Sequence, residues 1–210
     1  MSVTCAAVVL AAGLGTRMKS DLPKVMHKVC NVPMLGHVLG LLDDLGISRR
    51  VVVLGPAMDE AAALAGRYDA EVAVQTERLG TAHAALAARA ALEGFSGDIL
   101  VAFGDTPLVR AETVRKALDL RASAADPAVV VLGFEEEEPG AYGRLILDAD
   151  GNLDRIVEAK DASDDELDVT LCNSGVMLID GAVAWRLLGA IGNANAKGEY
   201  YLTDVVALAR

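Results

Sequence analysis

The most informative segment of the chain is the loop Gly13-Leu14-Gly15-Thr16-Arg17-Met18-Lys19-Ser20-Asp21-Leu22-Pro23-Lys24. An apolar run over residues 6–12 precedes the loop and predicts a buried strand. A helical pattern that opens at Pro33 follows it. The loop's glycines let backbone N–H groups approach oxygen anions closely, and Arg17 and Lys24 add positive charge. This combination predicts a loop that holds a polyphosphate.

The loop matches neither of two common phosphate-binding motifs. A Walker loop ends in Gly-Lys followed by Ser or Thr, and that ending is missing here. A dinucleotide-binding fingerprint needs a third glycine where Met18 stands. The Gly-x-Gly pair alone equally fits a tight turn between a strand and a helix. The residues around it, Thr16–Met18 and Pro23-Lys24, make the motif specific.

Strand and helix patterns alternate through the first two-thirds of the chain. Further strands are predicted at 50–54, 71–74, 98–103 and 128–134, and helices at 33–45, 58–68, 81–92 and 112–122. This order predicts an α/β fold with a Rossmann-like, mostly parallel sheet and helices on both faces. In such sheets ligands bind beyond the carboxyl ends of the strands. The polar segments 13–24, 75–81 and 104–105 all follow strands, so we expect them to converge on one edge.

The pattern changes after Pro139. Residues 142–147 and 153–158 flank a turn at 148–152 and predict a hairpin. Two further strands are predicted at 169–173 and 175–179, around Ser174, and helices at 182–191 and 200–209. We interpret these hairpins as a small antiparallel lobe laid against the sheet.

Composition excludes several classes of protein. The chain has 210 residues, 53% of them hydrophobic, and a formal net charge of −11, which disfavours binding to nucleic acid or to anionic membranes. No apolar run reaches ~20 residues, so no membrane span is expected. The amino terminus has no cationic segment ahead of the apolar stretch, and the three cysteines are widely spaced, so we expect a cytoplasmic protein with reduced thiols. The acidic runs 135–138 and 161–166 are interpreted as solvated loop or edge segments.

Several residues are candidates for chemistry, and each has a plainer alternative. Asp105 follows a strand and suits Mg²⁺, although it could also hold the turn at 106–107. Arg17 and Lys24 are candidates for phosphate contact and could otherwise form surface ion pairs. Gln75 could hydrogen-bond to the edge of a nucleobase. Thr81, in the same polar segment, could merely cap a helix.

The second part of the chain offers candidates for sugar binding. Glu158 and Asn173 could hydrogen-bond to hydroxyl or N-acetyl groups; alternatively Glu158 pairs with Lys160 or Arg144, and Asn173 is a turn residue. His37 and His83 are interpreted as structural. No Ser-His-Asp or Cys-His arrangement and no His or Cys metal spacing is present.

The whole string 10–18 together with Leu22-Pro23-Lys24 resembles the signature of sugar-phosphate nucleotidyltransferases. Within that superfamily, the motifs at 20–27, 79–84, 142–144, 156–162, 173–175 and 198–204 are similar to the bacterial N-acetylglucosamine-1-phosphate uridylyltransferases, the pyrophosphorylase part of a bifunctional enzyme. The resemblance covers nearly the whole chain in the right order. It implies a nucleotide-diphospho-sugar transferase fold and Mg²⁺-dependent transfer of UMP from UTP to N-acetylglucosamine 1-phosphate. The products would be UDP-N-acetylglucosamine, a precursor of peptidoglycan and the cell envelope, and pyrophosphate.

The resemblance also implies a role for particular residues. Arg17 and Lys24 would act on the phosphates and Asp105 would bind Mg²⁺. Nucleotide binding would fall to Leu10, Ala11, Ala12, Gly13, Gly15, Lys24, Gln75, Gly80 and Thr81. Sugar binding would fall to Phe103, Gly104, Gly143, Glu158 and Asn173.

The sequence departs from the family pattern in places. Phe103 stands where a sugar-contacting Tyr is usual, and Ser174 replaces a Thr. The family's second Mg²⁺ ligand, an Asn, lies beyond Arg210, so no residue here matches it. We expect a single domain over 1–210, with nucleotide binding in 1–138, sugar binding in 139–210 and no acetyltransferase β-helix, because no hexapeptide repeat occurs. The sequence allows a homo-oligomer.

Two other functions stay open at this level. The chain could be a related nucleotidyltransferase that uses another nucleoside triphosphate or acceptor. It could also be a catalytically weak regulatory module that binds nucleotide sugars.

Overall fold

A computed structural model describes residues 4–13, 15 and 18–210. Its strands are β1 (Cys5–Leu10), β2 (Lys28–Val29), β3 (Val32–Pro33), β4 (Arg49–Leu54), β5 (Glu71–Val74), β6 (Asp98–Phe103), β7 (Val129–Glu135), β8 (Arg144–Leu147), β9 (Leu153–Val157) and β10 (Leu171–Ile179). Its α-helices are α1 (Met34–Asp44), α2 (Asp59–Gly66), α3 (Thr81–Ala87), α4 (Ala111–Arg121), α5 (Asp164–Leu167), α6 (Gly181–Ala190) and α7 (Val205–Ala209). Short 3-10 turns lie at Lys24–Met26, Ala90–Leu92 and Leu202–Asp204.

One mixed sheet forms the centre of the molecule. Strands β5, β4, β1 and β6 lie side by side and run parallel. Strand β10 pairs antiparallel with β6 on one side and with β7 on the other. The hairpin β8–β9 joins the far end of β10 through the pair Cys172–Arg144. The predicted α/β class with a mostly parallel sheet is confirmed.

The sheet is covered on both faces, which explains why β1 is apolar throughout. Its alternate residues Ala6, Val8 and Leu10 enter a core that also contains residues of α3, α6 and α7. Ala7 and Val9 point the other way, into a core with residues of α1, α2 and α4. Because both faces of β1 are buried, a polar residue at any of these positions would lose its water without gaining a partner.

A charged cluster closes the end of the sheet where β6 begins. The buried Arg121, at the end of α4, places Nε 3.1 Å from Asp98 Oδ1 and a terminal nitrogen 3.0 Å from Asp180 Oδ2. Asp126 also pairs with this guanidinium. Asp180 is the N-cap of α6 and accepts a hydrogen bond from Ala182 N. Arg121 therefore ties α4 to β6 and α6.

The expected split of residues 169–179 into two strands around a turn is wrong. They form the single strand β10, whose pairing with β7 shifts register between Asn173 and Met177. Ser174 lies in this bulge and donates its hydroxyl hydrogen to Leu132 O at 2.7 Å. Gly175 beside it has φ +85°, a conformation that suits a bulge in a continuous strand as well as a turn. The antiparallel lobe is consequently an extension of the central sheet through β10.

Some predicted elements are shorter than expected. The helix predicted at 81–92 ends at Ala87, and the 3-10 turn at Ala90–Leu92 buries Leu92. The helix predicted at 200–209 begins as a 3-10 turn and becomes α7 only at Val205. Part of the acidic run 161–166 forms α5, capped reciprocally by Ser163 and Glu166, instead of a loop. None of the helices among the described residues has the length and hydropathy that a membrane crossing requires.

Candidate active site

Backbone hydrogen bonds carry three strands one residue beyond their ends. Ala11 N donates to Val53 O at 2.8 Å, Gln75 N to Leu54 O at 2.8 Å, and Gly104 N to Leu10 O at 2.9 Å. These bonds align the residues that follow β1, β5 and β6 along one edge of the sheet. The predicted convergence of the three polar segments is therefore present in the structure.

The glycine-rich loop packs directly against Lys24. Gly15 has φ +62°, and a Cβ at this position would lie 2.6 Å from the Cβ of Lys24. Only glycine fits both the conformation and the close approach. The loop backbone thus fixes where the Lys24 side chain leaves the 3-10 turn at Lys24–Met26.

Lys24 and Asp105 meet in an ion pair. Lys24 Nζ lies 2.5 Å from Asp105 Oδ2, with the two side chains 38% and 25% exposed. The turn after β6 is held by Thr106, whose hydroxyl and backbone N–H both donate to Phe103 O, at 2.8 and 3.2 Å. Thr106 fills the turn-holding role proposed as the alternative for Asp105. The Asp105 carboxylate instead faces the Lys24 ammonium at the end of the glycine-rich loop.

The segment from Gln75 to Thr81 is held tightly against residues 200–202. Gly80 has φ +124°, and a Cβ there would lie 2.6 Å from Tyr200 N, so only glycine fits. Thr81 Oγ1 accepts a hydrogen bond from Leu202 N at 2.9 Å. The alternative of Thr81 as a helix cap is wrong: the N-cap of α3 is Gly80, and the Thr81 hydroxyl joins the end of the chain to the site.

These segments enclose a cleft of about 330 Å³, within the range of small-molecule sites. Of the residues predicted to contribute, the cleft is lined by Leu10, Ala11, Ala12, Gly13, Gly15, Lys24, Gln75, Gly80, Thr81, Phe103 and Asp105. The whole set predicted to bind nucleotide, the predicted metal ligand and one predicted sugar contact thus share one cavity.

The other predicted sugar-binding residues, Gly104, Gly143, Glu158 and Asn173, are not among the residues that line the cleft. The ring of Phe103 packs so closely on Gly175 that a Cβ there would lie 2.7 Å from it. Gly175 N donates to Asn173 Oδ1 at 2.9 Å, and Asn173 N donates to Gly143 O at 2.8 Å. Asn173 thus holds the bulge through its oxygen, in line with its turn-residue alternative, while its amide N–H groups have no partner among the described residues. Gly104 packs against Ala11, Val25 and Leu35.

Glu158 follows β9 and accepts a hydrogen bond from Thr203 Oγ1 at 3.4 Å. Burial is the main cause that raises the pKa of its carboxyl, against the opposing effect of Lys197. The proposed alternative pairing with Arg144 is wrong. The buried Arg144 donates instead to backbone oxygens of Gly140, Tyr142 and Leu167.

The candidate Arg17 lies outside the described residues, with Leu14 and Thr16 of the same loop. Sequence reasoning missed another cation of the cleft, Arg78, whose Nε donates to Ala12 O at 3.0 Å. A Cβ on Gly55 would lie 2.6 Å from the Arg78 guanidinium, so glycine at 55 admits the arginine. Glu199 also lines the cleft and was not predicted as a site residue. The only signal for Arg78 was its place inside the predicted base-binding segment.

The donor set of the cleft suits a hard divalent cation that is shared with a phosphate ligand. The described residues contain no group of three His, Cys, Asp or Glu side chains that could hold a metal by themselves. Mg²⁺ characteristically takes one or two carboxylates and completes its shell with phosphate oxygens and waters. Asp105, a partly exposed carboxylate beside Lys24, has the chemistry of such a ligand.

The MobA-like NTP transferase domain model matches residues 7–165. The chain belongs to this family. "Bifunctional protein GlmU" of Paramagnetospirillum magneticum is 53% identical over 207 residues, which cover 98% of this chain and 45% of that protein. The protein of the same name from Azorhizobium caulinodans is 55% identical over 206 residues, which cover 97% of this chain and 45% of that protein. The chain thus spans about 45% of the length of these relatives, and the resemblance to part of a bifunctional bacterial enzyme is confirmed.

Solved structures share the fold of this nucleotidyltransferase domain. A UDP-glucose pyrophosphorylase complexed with UDP-glucose superposes with a TM-score of 0.76 at 17% identity, covering 99% of this chain and 87% of that one. A putative glucose-1-phosphate thymidylyltransferase from Bacillus anthracis, in complex with a sucrose, gives 0.79 at 19% identity over 96% and 80%. At these identities the likeness concerns the fold alone, and it agrees with the predicted nucleotide-diphospho-sugar transferase fold.

Proposed function

We propose that the chain transfers UMP from UTP to N-acetylglucosamine 1-phosphate and releases pyrophosphate. The observation that carries the proposal is the meeting of Lys24, Asp105 and Gln75 in one cleft. These residues follow three different strands. The Lys24 ammonium can bind phosphate, the Asp105 carboxylate can bind a metal ion, and the Gln75 amide can hydrogen-bond to a base. The identity of about 50% to proteins named GlmU supports the choice of substrates.

The reaction needs positioning and neutralisation of charge, with no covalent enzyme intermediate. A phosphate oxygen of the sugar 1-phosphate forms a bond to the α-phosphorus of UTP. The bond from that phosphorus to the oxygen bridging to the β-phosphate breaks, and its electron pair leaves with pyrophosphate. Lys24 would contact the phosphates and Arg17 would bind the departing pyrophosphate, so that both offset the negative charge gathered in the transition state.

Asp105 would hold Mg²⁺ together with the substrate phosphates. When bound, the metal supplies Lewis-acid neutralisation of phosphate charge. Lys24 is paired with Asp105 in the structure, so binding of a metal triphosphate would replace that pair by two new contacts. The Lys24 ammonium would turn to phosphate oxygen, and the Asp105 carboxylate to the metal.

The sugar would lie beyond Phe103, towards Gly143, Glu158 and Asn173. The contacts from Phe103 through Gly175 to Asn173 join that region to the cleft. The amide N–H groups of Asn173, which have no partner within residues 4–13, 15 and 18–210, could donate to sugar oxygens, and the Glu158 carboxylate could accept from hydroxyls. We accordingly assign nucleotide binding to residues 1–138 and sugar binding to 139–210 of one domain, acting in the cytoplasm.

Pyrophosphate release from a panel of nucleoside triphosphates and sugar phosphates tests the proposal. We expect Mg²⁺-dependent release with UTP and N-acetylglucosamine 1-phosphate, and the loss of that release in Asp105→Asn. Preference for another triphosphate or acceptor would reassign the substrates within the family. Absence of turnover with every pair, although nucleotide binds, would contradict the enzymatic proposal in favour of a binding module.

A further inference from the structure

The amide of Gln75 is held by two hydrogen bonds. The residue is 4% exposed, and its Nε2 lies 3.2 Å from Gly80 O and 3.1 Å from Nδ1 of His83. His83 is the third residue of α3 and is not among the residues that line the cleft. Both bonds join residues that the fold already fixes, since Gly80 O also accepts from Ala84 N at 3.1 Å.

The Gly80 carbonyl determines which way the amide points. A carbonyl oxygen can only accept, so the Gln75 group that faces it must be the NH2 group. The second N–H then points to His83 Nδ1, which accepts only when it carries no proton. In this arrangement Nδ1 is the accepting nitrogen, and both Gln75 N–H groups are used inside the protein.

The group that Gln75 has left for a ligand is its oxygen. Within the described part of the chain Oε1 has no hydrogen-bond partner, and it is not among the fully buried unpaired atoms. Because Gln75 lines the cleft, this oxygen gives the cleft a fixed acceptor. Uracil carries a proton on the ring nitrogen of its pairing edge and meets the acceptor there with a hydrogen bond, whereas the bare ring nitrogen of cytosine in the same place meets it with a lone pair.

We propose that His83 is a positioning residue that locks the Gln75 amide and thereby selects uracil over cytosine. The inference rests on the proposed function to the extent that the base of the triphosphate lies against Gln75. Without His83, rotating the amide by half a turn loses only the bond to Gly80 O. With His83 present, the same rotation loses both bonds unless the imidazole proton also moves from Nε2 to Nδ1. A rotated amide presents N–H to the cleft and accepts cytosine.

Equilibrium binding of UTP and of CTP, each with Mg²⁺ and measured by calorimetry, tests the role of His83. We expect the wild type to bind UTP at least about tenfold more tightly than CTP. His83→Ala should lower this preference about five- to tenfold, which is the change in equilibrium constant expected for the loss of one neutral hydrogen bond. His83→Asn keeps an acceptor near the position of Nδ1 and should stay within about threefold of the wild-type ratio.

Two further variants serve as a substitute test and as a control. His83→Leu fills space without offering an acceptor, and it gives the same test should His83→Ala fail to fold. His37→Ala removes a histidine outside the cleft that makes a 2.8 Å bond to Val29 O, and it should leave the ratio unchanged. A loss of preference in His37→Ala as well would assign the effect to general loosening and overturn the inference.

An unchanged UTP preference in His83→Ala or His83→Leu would also overturn the inference, because Gly80 alone would then orient the amide. Equal binding of UTP and CTP, or no binding of either, by the wild type would overturn it too. The proposed function fails separately: a wild type that prefers UTP, but transfers no UMP to N-acetylglucosamine 1-phosphate, leaves the role of His83 standing.

Discussion

Replacing Lys24 by Met should separate catalysis from stability. The substitution keeps the aliphatic stem that packs on Gly15 and removes the ammonium that pairs with Asp105. A single charge about 4 Å from a phosphate oxygen contributes about 1 kcal/mol in water and about 4 kcal/mol at an effective dielectric constant near 20. Because the Lys24 side chain is 38% exposed, we take an intermediate value of about 2–3 kcal/mol. Turnover should therefore fall about 30- to 150-fold.

The same substitution should barely affect folding. Ion pairs at partly exposed positions contribute up to about 1 kcal/mol, so the melting temperature should change by less than about 4 °C. A coupled assay of pyrophosphate release gives kcat and KM, and a thermal melt gives stability. Lys28→Met is the matched control, because Lys28 is an exposed lysine on β2 outside the cleft.

Two results would refute this account of Lys24. Turnover within about threefold of the wild type would show that the ammonium does not act on the phosphates. A melting temperature lowered by much more than 4 °C, with turnover reduced only in proportion to the unfolded fraction, would make Lys24 a structural residue.

Three further predictions concern the frame of the site. Gly80→Ala should lower the free energy of unfolding by at least about 3 kcal/mol in chemical denaturation, because a Cβ would meet the backbone at φ +124°; Gly46→Ala, at φ +69° with open space, should cost only about 1 kcal/mol. Arg121→Met should cost about 3–5 kcal/mol in the same assay, because it leaves the buried carboxylate of Asp98 unpaired. Burial raises the pKa of Glu158 above its usual value of 4.5. The contribution of Glu158 to the free energy of unfolding is therefore present below pH 4.5 and is lost as pH rises through the raised pKa. Glu158→Gln should remove this pH-dependent loss of stability, and it should also raise KM for the sugar phosphate.

Each of these has a result that contradicts it. Equal stability losses in the Gly80 and Gly46 variants would show that the close approach to the backbone of Tyr200 is relieved by movement. A loss below 1 kcal/mol in Arg121→Met would mean that water reaches Asp98. An unchanged pH profile in Glu158→Gln would place the raised pKa elsewhere, and an unchanged KM would remove Glu158 from the sugar site.

The sequence was enough to predict the sheet and the edge where the site lies. Residues 6–12 are apolar without alternation, which requires burial on both faces, and β1 lies centrally between β4 and β6. Parallel strands place their carboxyl ends together, so the clustering of Lys24, Gln75 and Asp105 followed from strand order. These features are encoded locally, in patterns a few residues long.

The features that the sequence could not reveal depend on distant partners. The sequence Ser174-Gly175 is typical of a turn. Strand β10 nevertheless continues through it, because β7 pairs with β10 on both sides of the bulge and Leu132 O of β7 accepts a hydrogen bond from Ser174. The alanines after Ala87 carry no signal that ends a helix, although α3 stops there. Arg78 reaches the cleft because Gly55, which follows strand β4, leaves room for its guanidinium. No sequence pattern around Gly55 or around Arg78 indicates that the two residues are in contact.

The most direct measurement of the central claim is a crystal structure of the chain with UDP-N-acetylglucosamine and Mg²⁺. We expect uracil against Gln75 and Gly80, the diphosphate and the metal between Lys24 and Asp105, and the amino sugar beyond Phe103. Nucleotide sugar bound away from this edge of the sheet, or bound there with the base and sugar positions exchanged, would contradict the account.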